Sequence, residues 1–197
     1  MHSLSRTFFM LLLAVAVVQI AGCAKTGNLS PYANNGEIRR DTHLARELHQ
    51  QASAQLLEDE AEAERLLRAS LAADLYFGPA HNNLGIILLG RGELYAAASE
   101  FEWARKLMPG HPDPRVNLAM TLEQAGKVDD AINAYDAALA VYDGYLPAIQ
   151  GKARLHVVSG RTDKSTHVLL DEIALRGDER WREWARLWAT KLNMYDR

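Results

Sequence analysis

The sequence predicts an all-α solenoid of helical hairpins, and three observations support this prediction. Residues 78–111 align without gaps with the segment that follows them, residues 112–145. We call this offset of 34 residues one repeat. Within each segment, apolar residues recur every three or four positions, which is the period of an amphipathic helix. The composition, 48% hydrophobic and 24% charged, suits stacked helices that share a core. A fixed repeat of this length is typical of solenoids.

Equivalent residues of the two segments define the repeat. The matched pairs are Leu84 and Leu118, Gly85 and Ala119, Gly92 and Gly126, Ala97 and Ala131, Phe101 and Tyr135, and Ala104 and Ala138. The leucine belongs to a first helix, Gly92 and Gly126 permit a tight turn, and the later residues form a second helix. One such hairpin leaves an apolar face open, so successive hairpins must stack.

This pattern resembles the tetratricopeptide repeat (TPR), in which Leu–Gly, a turn glycine, and Ala, aromatic and Ala residues recur in this order. The resemblance implies about three to four repeats in residues 42–177, followed by a C-terminal capping helix and tail in residues 178–197. The segment from residue 146 is degenerate, because Lys152–Ala153 replaces Leu–Gly and Glu172 replaces a small residue. An upstream unit at residues 44–77 is weaker, because Glu58 stands in place of the turn glycine.

Residues 1–22 predict a signal peptide. Arg6 precedes a mainly apolar run from Phe8 to Ile20, which is shorter than the roughly 20 residues that span a bilayer. The run ends Ile20-Ala21-Gly22-Cys23, which resembles the bacterial lipobox. This resemblance implies cleavage before Cys23 and acylation of its thiol, with membrane attachment through the lipid. An ordinary signal peptide followed by an incidental cysteine is the alternative.

The residues after the cysteine predict where the protein is located and how it is attached. Residues 23–41 contain Gly, Asn, Ser and Pro without an apolar period, so they are expected to form a flexible tether. Ala24 follows the cysteine, and resemblance to lipoprotein sorting implies the outer membrane, with the domain facing the periplasm. A single cysteine excludes an intramolecular disulfide bond. The formal net charge of −3 gives no indication of a nucleic-acid partner.

The sequence contains no recognised catalytic motif. HExxH, P-loop, GxGxxG and GxSxG patterns are absent. His81 lies in the first turn of a repeat and is expected to pack. The acidic run from Glu58 to Glu64 is typical of a solvated helix face, although a weak cation site or a basic partner is an alternative. We therefore expect no cofactor, no metal and no enzymatic activity, with an enzyme of unfamiliar site as the remaining alternative.

The TPR resemblance implies that the first helices line the concave side of the array. The residues expected there are Asn82, Ile86, Leu89, Val116, Met120, Glu123, Gln150, Arg154 and Val157. The predicted partner-binding residues are Asn82, Ile86, Met120, Glu123, Gln150 and Arg154. Packing inside the array is the alternative for Leu89, Val116 and Val157. Glu123 and Arg154 can fix the direction of a bound peptide or pair with each other.

The last helix carries a row of tryptophans. Trp181, Trp184 and Trp188 recur at three- and four-residue spacing, with charged residues away from them. This pattern is typical of the helix that caps a solenoid. An aromatic face for a partner or a membrane surface is the alternative.

These observations predict a membrane-anchored TPR scaffold that binds a protein partner. The chain looks most like the TPR lipoproteins of pilus assembly and the secretin pilotins, which implies assembly of an envelope machine. A cell-wall enzyme adaptor and an outer-membrane assembly factor are alternatives. A receptor for solutes or glycans is less favoured, because the candidate aromatic residues lie on second helices or turns: Tyr76, Tyr95, Trp103, Tyr142 and Tyr145.

Overall fold

The computed structural model describes residues 40–195, which form helices joined by short turns. In chain order they are α1 (Thr42–Gln55), α2 (Glu60–Ala73), α3 (Gly78–Gly90), α4 (Leu94–Leu107), α5 (Asp113–Gln124), α6 (Val128–Val141), α7 (Leu146–Val158), α8 (Lys164–Arg176) and α9 (Glu179–Tyr195). This part of the chain contains no β-strand, so the prediction of an all-α fold is confirmed. The signal peptide, Cys23 and nearly all of the tether lie outside the described residues.

The helices pack as four successive hairpins, α1 with α2, α3 with α4, α5 with α6 and α7 with α8. We call the helix that opens each hairpin its first helix and the other its second helix. Each second helix also contacts the helix that follows it, and α9 packs on α8 in this way. Residues 44–77, the weakest repeat in the sequence, therefore form a hairpin like the others.

The turns inside the hairpins explain why one of them lacks glycine. Gly92, Gly126 and Gly160 have φ angles of 76°, 72° and 67°, which side chains of L-residues rarely adopt. The turn after α1 avoids this region. The amide of Glu58 donates to the Gln55 carbonyl at 3.0 Å, and no residue other than glycine has a positive φ in the described chain. A glycine is therefore not needed at that turn.

Small residues allow the two helices of a hairpin to approach each other. A Cβ added to Gly85 in α3 would lie 2.6 Å from a ring carbon of Phe101 in α4. Phe101 is fully buried between Ala97 and Ala104 on the same helix. In the next hairpin Tyr135 takes the place of Phe101 and is 1% exposed. The spacing in the sequence thus reflects close helix packing.

The fourth hairpin keeps the fold despite its degenerate sequence. Ala153 stands in place of the repeat glycine and is fully buried in a core shared by α7, α8 and α9. Lys152, which replaces a leucine, pairs with Asp136 of α6 at 2.5 Å. Glu172 pairs with Arg176 at 3.2 Å on the surface of α8. The polar replacements are thus satisfied by ion pairs.

A cluster of polar side chains lies at the N-terminal end of the array. Asp74, at the end of α2, is 1% exposed and accepts hydrogen bonds from Thr42 at 2.7 Å and from Arg40 at 3.2 Å. Burial alone would raise the pKa of Asp74, but these hydrogen bonds and that from the Tyr76 amide hold it below its ordinary value. The cluster fixes the residues that lead into α1 against the end of α2.

Candidate protein-binding face

The first helices contact one another in chain order, α1 with α3, α3 with α5 and α5 with α7. We call the surface that they form together the first-helix face. Side chains bridge neighbouring helices across it. Asn83 of α3 donates to Nε2 of His49 at 3.0 Å, and Asn117 of α5 donates to the Asn82 side-chain oxygen at 3.0 Å. The face is therefore continuous from the first hairpin to the fourth.

Three predicted binding residues occupy one repeat position on successive first helices. Ile86 is 43% exposed and Met120 is 42% exposed, and the side chain of Arg154 is 40% exposed. Asn82 and Gln150 lie one turn earlier on α3 and α7 and are half-buried. A ligand that crosses the face can therefore contact one accessible side chain on each of these helices. That these residues bind a partner stays a prediction.

Two residues that were expected to be exposed on this face are buried. Val116 is 7% exposed and Val157 is 8% exposed. Val116 belongs to a core cluster that contains Ala148 of α7, so the next first helix covers it. Leu89 is half-buried. The repeat register identifies which residues point toward the neighbouring hairpin, but the packing distance decides which of them reach solvent.

A row of amide and imidazole groups follows the first half of the face. Besides its bond to His49, Asn83 lies 3.4 Å from the Ser53 hydroxyl. Burial lowers the pKa of His49, whose ring meets Phe77 edge-on at 5.5 Å. The predicted site included Asn82 but omitted His49, Asn83 and Asn117. The signal available in the sequence was that Asn83 and Asn117 occupy the same repeat position.

The second half of the face carries a hydrogen-bonded group of three residues, Glu123, Tyr135 and Arg154, which we call the polar triad. Nη2 of Arg154 lies 2.6 Å from Oε1 and 2.7 Å from Oε2 of Glu123. The Tyr135 hydroxyl donates to Oε2 at 3.3 Å. Glu123 and Arg154 thus pair with each other, which was one of the two possibilities left open by the sequence. Burial and the nearby Glu123 charge raise the pKa of Tyr135 to about 12.

A glycine makes room for the polar triad. Gly151 of α7 stands one repeat after Asn117, at the position of the amide row. A Cβ on Gly151 would lie 2.4 Å from ring carbons of Tyr135. The ring therefore packs directly on the α7 backbone, and its hydroxyl reaches Glu123. From the sequence, Tyr135 was identified only as a core residue.

The residues one repeat before the polar triad are Leu89, Phe101 and Met120, which we call the apolar triad. Phe101 is fully buried, like Tyr135. Leu89 is half-buried, Met120 is exposed, and the side chain of Arg154 is 40% exposed. The same three repeat positions are thus apolar between the second and third hairpins and polar between the third and fourth.

The tryptophans of α9 also fall on this register, because Trp184 and Trp188 stand one repeat after Gln150 and Arg154. In the structure both pack against the core that α7 and α8 share, together with Trp181. The rings of Trp181 and Trp184 meet edge-on at 5.3 Å. This packing supports the interpretation of α9 as a capping helix.

Titratable side chains elsewhere serve packing and surface ion pairs. His81 is fully buried, lies 2.6 Å from Glu100 and stacks on Trp103 at 5.6 Å. Within the acidic run, Glu60 and Glu64 pair with Arg91 at 2.7 and 2.6 Å.

Among the described residues there is no group of three or more His, Cys, Asp or Glu side chains that could hold a metal ion. None of the helices in residues 40–195 combines the length and the apolar character needed to cross a membrane.

A family model described as "Protein kinase G tetratricopeptide repeat" matches residues 46–194. The chain belongs to this family. It is therefore a TPR protein, as its sequence predicts, and the TPR fold is typically a protein-interaction scaffold without catalytic function. No curated protein matches the chain.

Solved structures share this TPR fold. The first TPR domain of Spaghetti (RPAP3) bound to an HSP90 peptide has a TM-score of 0.59 and 15% identity, and the match covers 63% of this chain and 99% of that chain. An O-GlcNAc transferase mutant from Thermobaculum terrenum has a TM-score of 0.62 and 25% identity, and the match covers 69% of this chain and 27% of the transferase. The MamA protein has a TM-score of 0.58 and 19% identity, and the match covers 65% of this chain and 70% of MamA.

Proposed function

We propose that this protein is a lipid-anchored TPR scaffold that binds a protein partner on its first-helix face. The observation that carries the proposal is the alignment of Ile86, Met120 and Arg154, each accessible on a successive first helix. A peptide or helix that crosses the face gains several modest contacts at once, a common mode of peptide recognition. The TPR of RPAP3, which shares the fold, is bound to a peptide.

The protein acts by binding and not by catalysis in this proposal. The titratable groups of the face are paired or neutral, since Glu123 bonds to Arg154 and burial disfavours the charged form of His49. A general base or a nucleophile requires a free group beside the reacting atom. The face instead provides amides, apolar side chains and one ion pair, which suit recognition.

The anchor and the cellular role rest on the sequence. The lipobox-like Ile20–Cys23 supports acylation at Cys23, and Ala24 supports retention in the outer membrane with the domain in the periplasm. A tethered scaffold in this place suits assembly of an envelope machine, such as a pilus or a secretion system. Binding to a cell-wall enzyme or to an outer-membrane assembly factor would assign the scaffold to the alternative roles.

The anchor is tested with Cys23→Ser in cells that are fed radiolabelled palmitate. We expect the wild-type protein to incorporate the label and to migrate as the processed form, and the variant to remain an unlabelled precursor. Label in the variant would contradict the lipoprotein assignment.

The binding face is tested by a pull-down from envelope extract, followed by mass spectrometry of the captured proteins. We expect Ile86→Glu/Met120→Glu to lose the partner, because two like charges then replace the central apolar contacts. Tyr95→Glu is the matched control, since Tyr95 is 93% exposed on a second helix and should leave capture unchanged. Circular dichroism must first show that both variants are folded. Equal capture by all three proteins would contradict the proposed face.

A further inference from the structure

We propose that the polar triad makes the first-helix face selective for a partner segment that carries a carboxylate next to apolar side chains. This inference rests on the proposed function, because it specifies the chemistry of the ligand at the same face. The apolar part of the site is formed by Ile86 and Met120, and the polar part by Arg154. Ile86 and Met120 are exposed, and the side chain of Arg154 is 40% exposed, so a bound segment can contact both parts.

The exposure of the ion pair decides which charge the partner carries. The side chain of Arg154 is 40% exposed, whereas that of Glu123 is 17% exposed. Oε2 of Glu123 already accepts hydrogen bonds from Arg154 and Tyr135, and Oε1 lies 2.6 Å from Nη2 of Arg154 in the ion pair. A cationic partner group therefore meets a shielded and saturated carboxylate. An anionic group meets the exposed member of the pair.

Arg154 has the donors that an incoming carboxylate needs. A guanidinium carries five N–H donors, and the hydrogen bond and the ion-pair contact between Arg154 and Glu123 both use Nη2. Glu123 is the carboxylate that pairs with Arg154, and Nε and Nη1 take no part in these two contacts. A partner carboxylate can bind there while Glu123 keeps its bond and holds the guanidinium in place. Glu123 and Tyr135 then act as positioning residues for Arg154.

The helix spacing sets the spacing of the recognised groups. Adjacent packed helices lie about 8–10 Å apart, and an extended chain advances about 3.3 Å per residue. An extended ligand that follows Ile86, Met120 and Arg154 therefore places its contacts about three residues apart. The expected pattern is two apolar residues and one acidic residue at these intervals.

The apolar triad supplies the matched control. The triple variant Glu123→Leu/Tyr135→Phe/Arg154→Met gives the polar positions the residues found one repeat earlier, Leu89, Phe101 and Met120. It keeps an apolar side chain at the position of Arg154 and removes the charge. If this variant loses the preference for acidic peptides, the cause is therefore the missing charge and not an empty space at the position of Arg154.

The experiment selects phage-displayed random dodecapeptides on the full-length protein in detergent and, in parallel, on the triple variant. We expect the wild-type protein to enrich acidic residues about three positions from an apolar residue, and the variant to lose this enrichment. For one selected peptide, replacement of its acidic residue by the amide should weaken binding to the wild-type protein about tenfold. The same replacement should leave binding to the triple variant unchanged.

Two failures are distinguishable. If the selected peptides need Ile86 and Met120 but show no acidic preference, or if the triple variant keeps that preference, the selectivity proposal is overturned and the binding face stands. If the peptides bind Ile86→Glu/Met120→Glu as well as the wild-type protein, the proposed function itself fails, and the selectivity proposal fails with it.

Discussion

The junction between the second and third hairpins and the junction between the third and fourth use the same repeat positions for different chemistry. Between the second and third hairpins the three positions form the apolar triad, with Phe101 fully buried. Between the third and fourth hairpins they form the polar triad, in which Tyr135 is also buried but donates to Glu123. The repeat thus fixes where the side chains lie and leaves their chemistry free to differ.

The difference involves more than one residue, because the polar triad requires changes that fit together. The hydroxyl of Tyr135 needs an acceptor, which Glu123 provides, and the Glu123 charge needs Arg154. The ring also needs the space left by Gly151. A buried polar group that loses its partner is costly. Replacing one residue of a triad by its equivalent from the other triad should therefore destabilise the protein more than replacing all three residues together.

The largest effect on stability is expected when an asparagine is placed at Gly151, the repeat position that Asn83 and Asn117 occupy in α3 and α5. Gly151→Asn would place a Cβ 2.4 Å from the Tyr135 ring, and overpacking of this kind costs about 1–3 kcal/mol or more. Urea denaturation followed by circular dichroism measures the loss. Gly90→Ala is the control, since nothing lies within 4 Å of its Cβ position, and it should not destabilise the protein. Equal stability of both variants would contradict the close contact.

A smaller loss is expected when a hydroxyl is introduced at the apolar junction. Phe101→Tyr should cost about 1–3 kcal/mol, because the repeat equivalent of Glu123 there is Leu89, which cannot accept a hydrogen bond. The reverse change, Tyr135→Phe, should cost no more than about 1 kcal/mol, because Glu123 keeps its bonds to Arg154. Urea midpoints of the two variants measure this asymmetry. The opposite order would refute the equivalence of the two triads.

The third test uses alkaline pH. The pKa of Tyr135 is raised from 10.0 to about 12 in the folded protein, so the folded state retains a proton that the unfolded state releases. Stability should fall as the pH rises from 10 to 12, by at most about 1.4 kcal/mol per pH unit for this group. Tyr135→Phe should reduce the slope. Tyr145, whose pKa is also raised to about 12, requires Tyr145→Phe as a parallel variant.

The smallest effect is expected when all three residues are exchanged together. The triple variant Glu123→Leu/Tyr135→Phe/Arg154→Met should differ from the wild type by less than about 1 kcal/mol. The ion pair is partly buried, and apolar replacement of such paired charges is often neutral or stabilising. The free energy of unfolding from urea titration is the measurement. A loss of several kcal/mol would mean that the polar triad is required for folding.

The fold was predictable from the sequence because repeated contacts leave a repeated pattern. Gly85 against Phe101 is a contact within one hairpin, and the same spacing recurs in the next hairpin. The exposed residues of the first-helix face were predictable only in part. The register identified Ile86, Met120 and Arg154 but also Val116 and Val157, which are buried.

By itself, the sequence determined the helical hairpins and their repeat register, because these depend on local periodicity, and its resemblance to the TPR indicated the first helices as the candidate face. Only the tertiary structure decided that Glu123 pairs with Arg154, that Tyr135 packs on Gly151 and that the α9 tryptophans face the core. These contacts join residues of different helices. They depend on the distance and rotation between the helices, which no single segment of the sequence specifies.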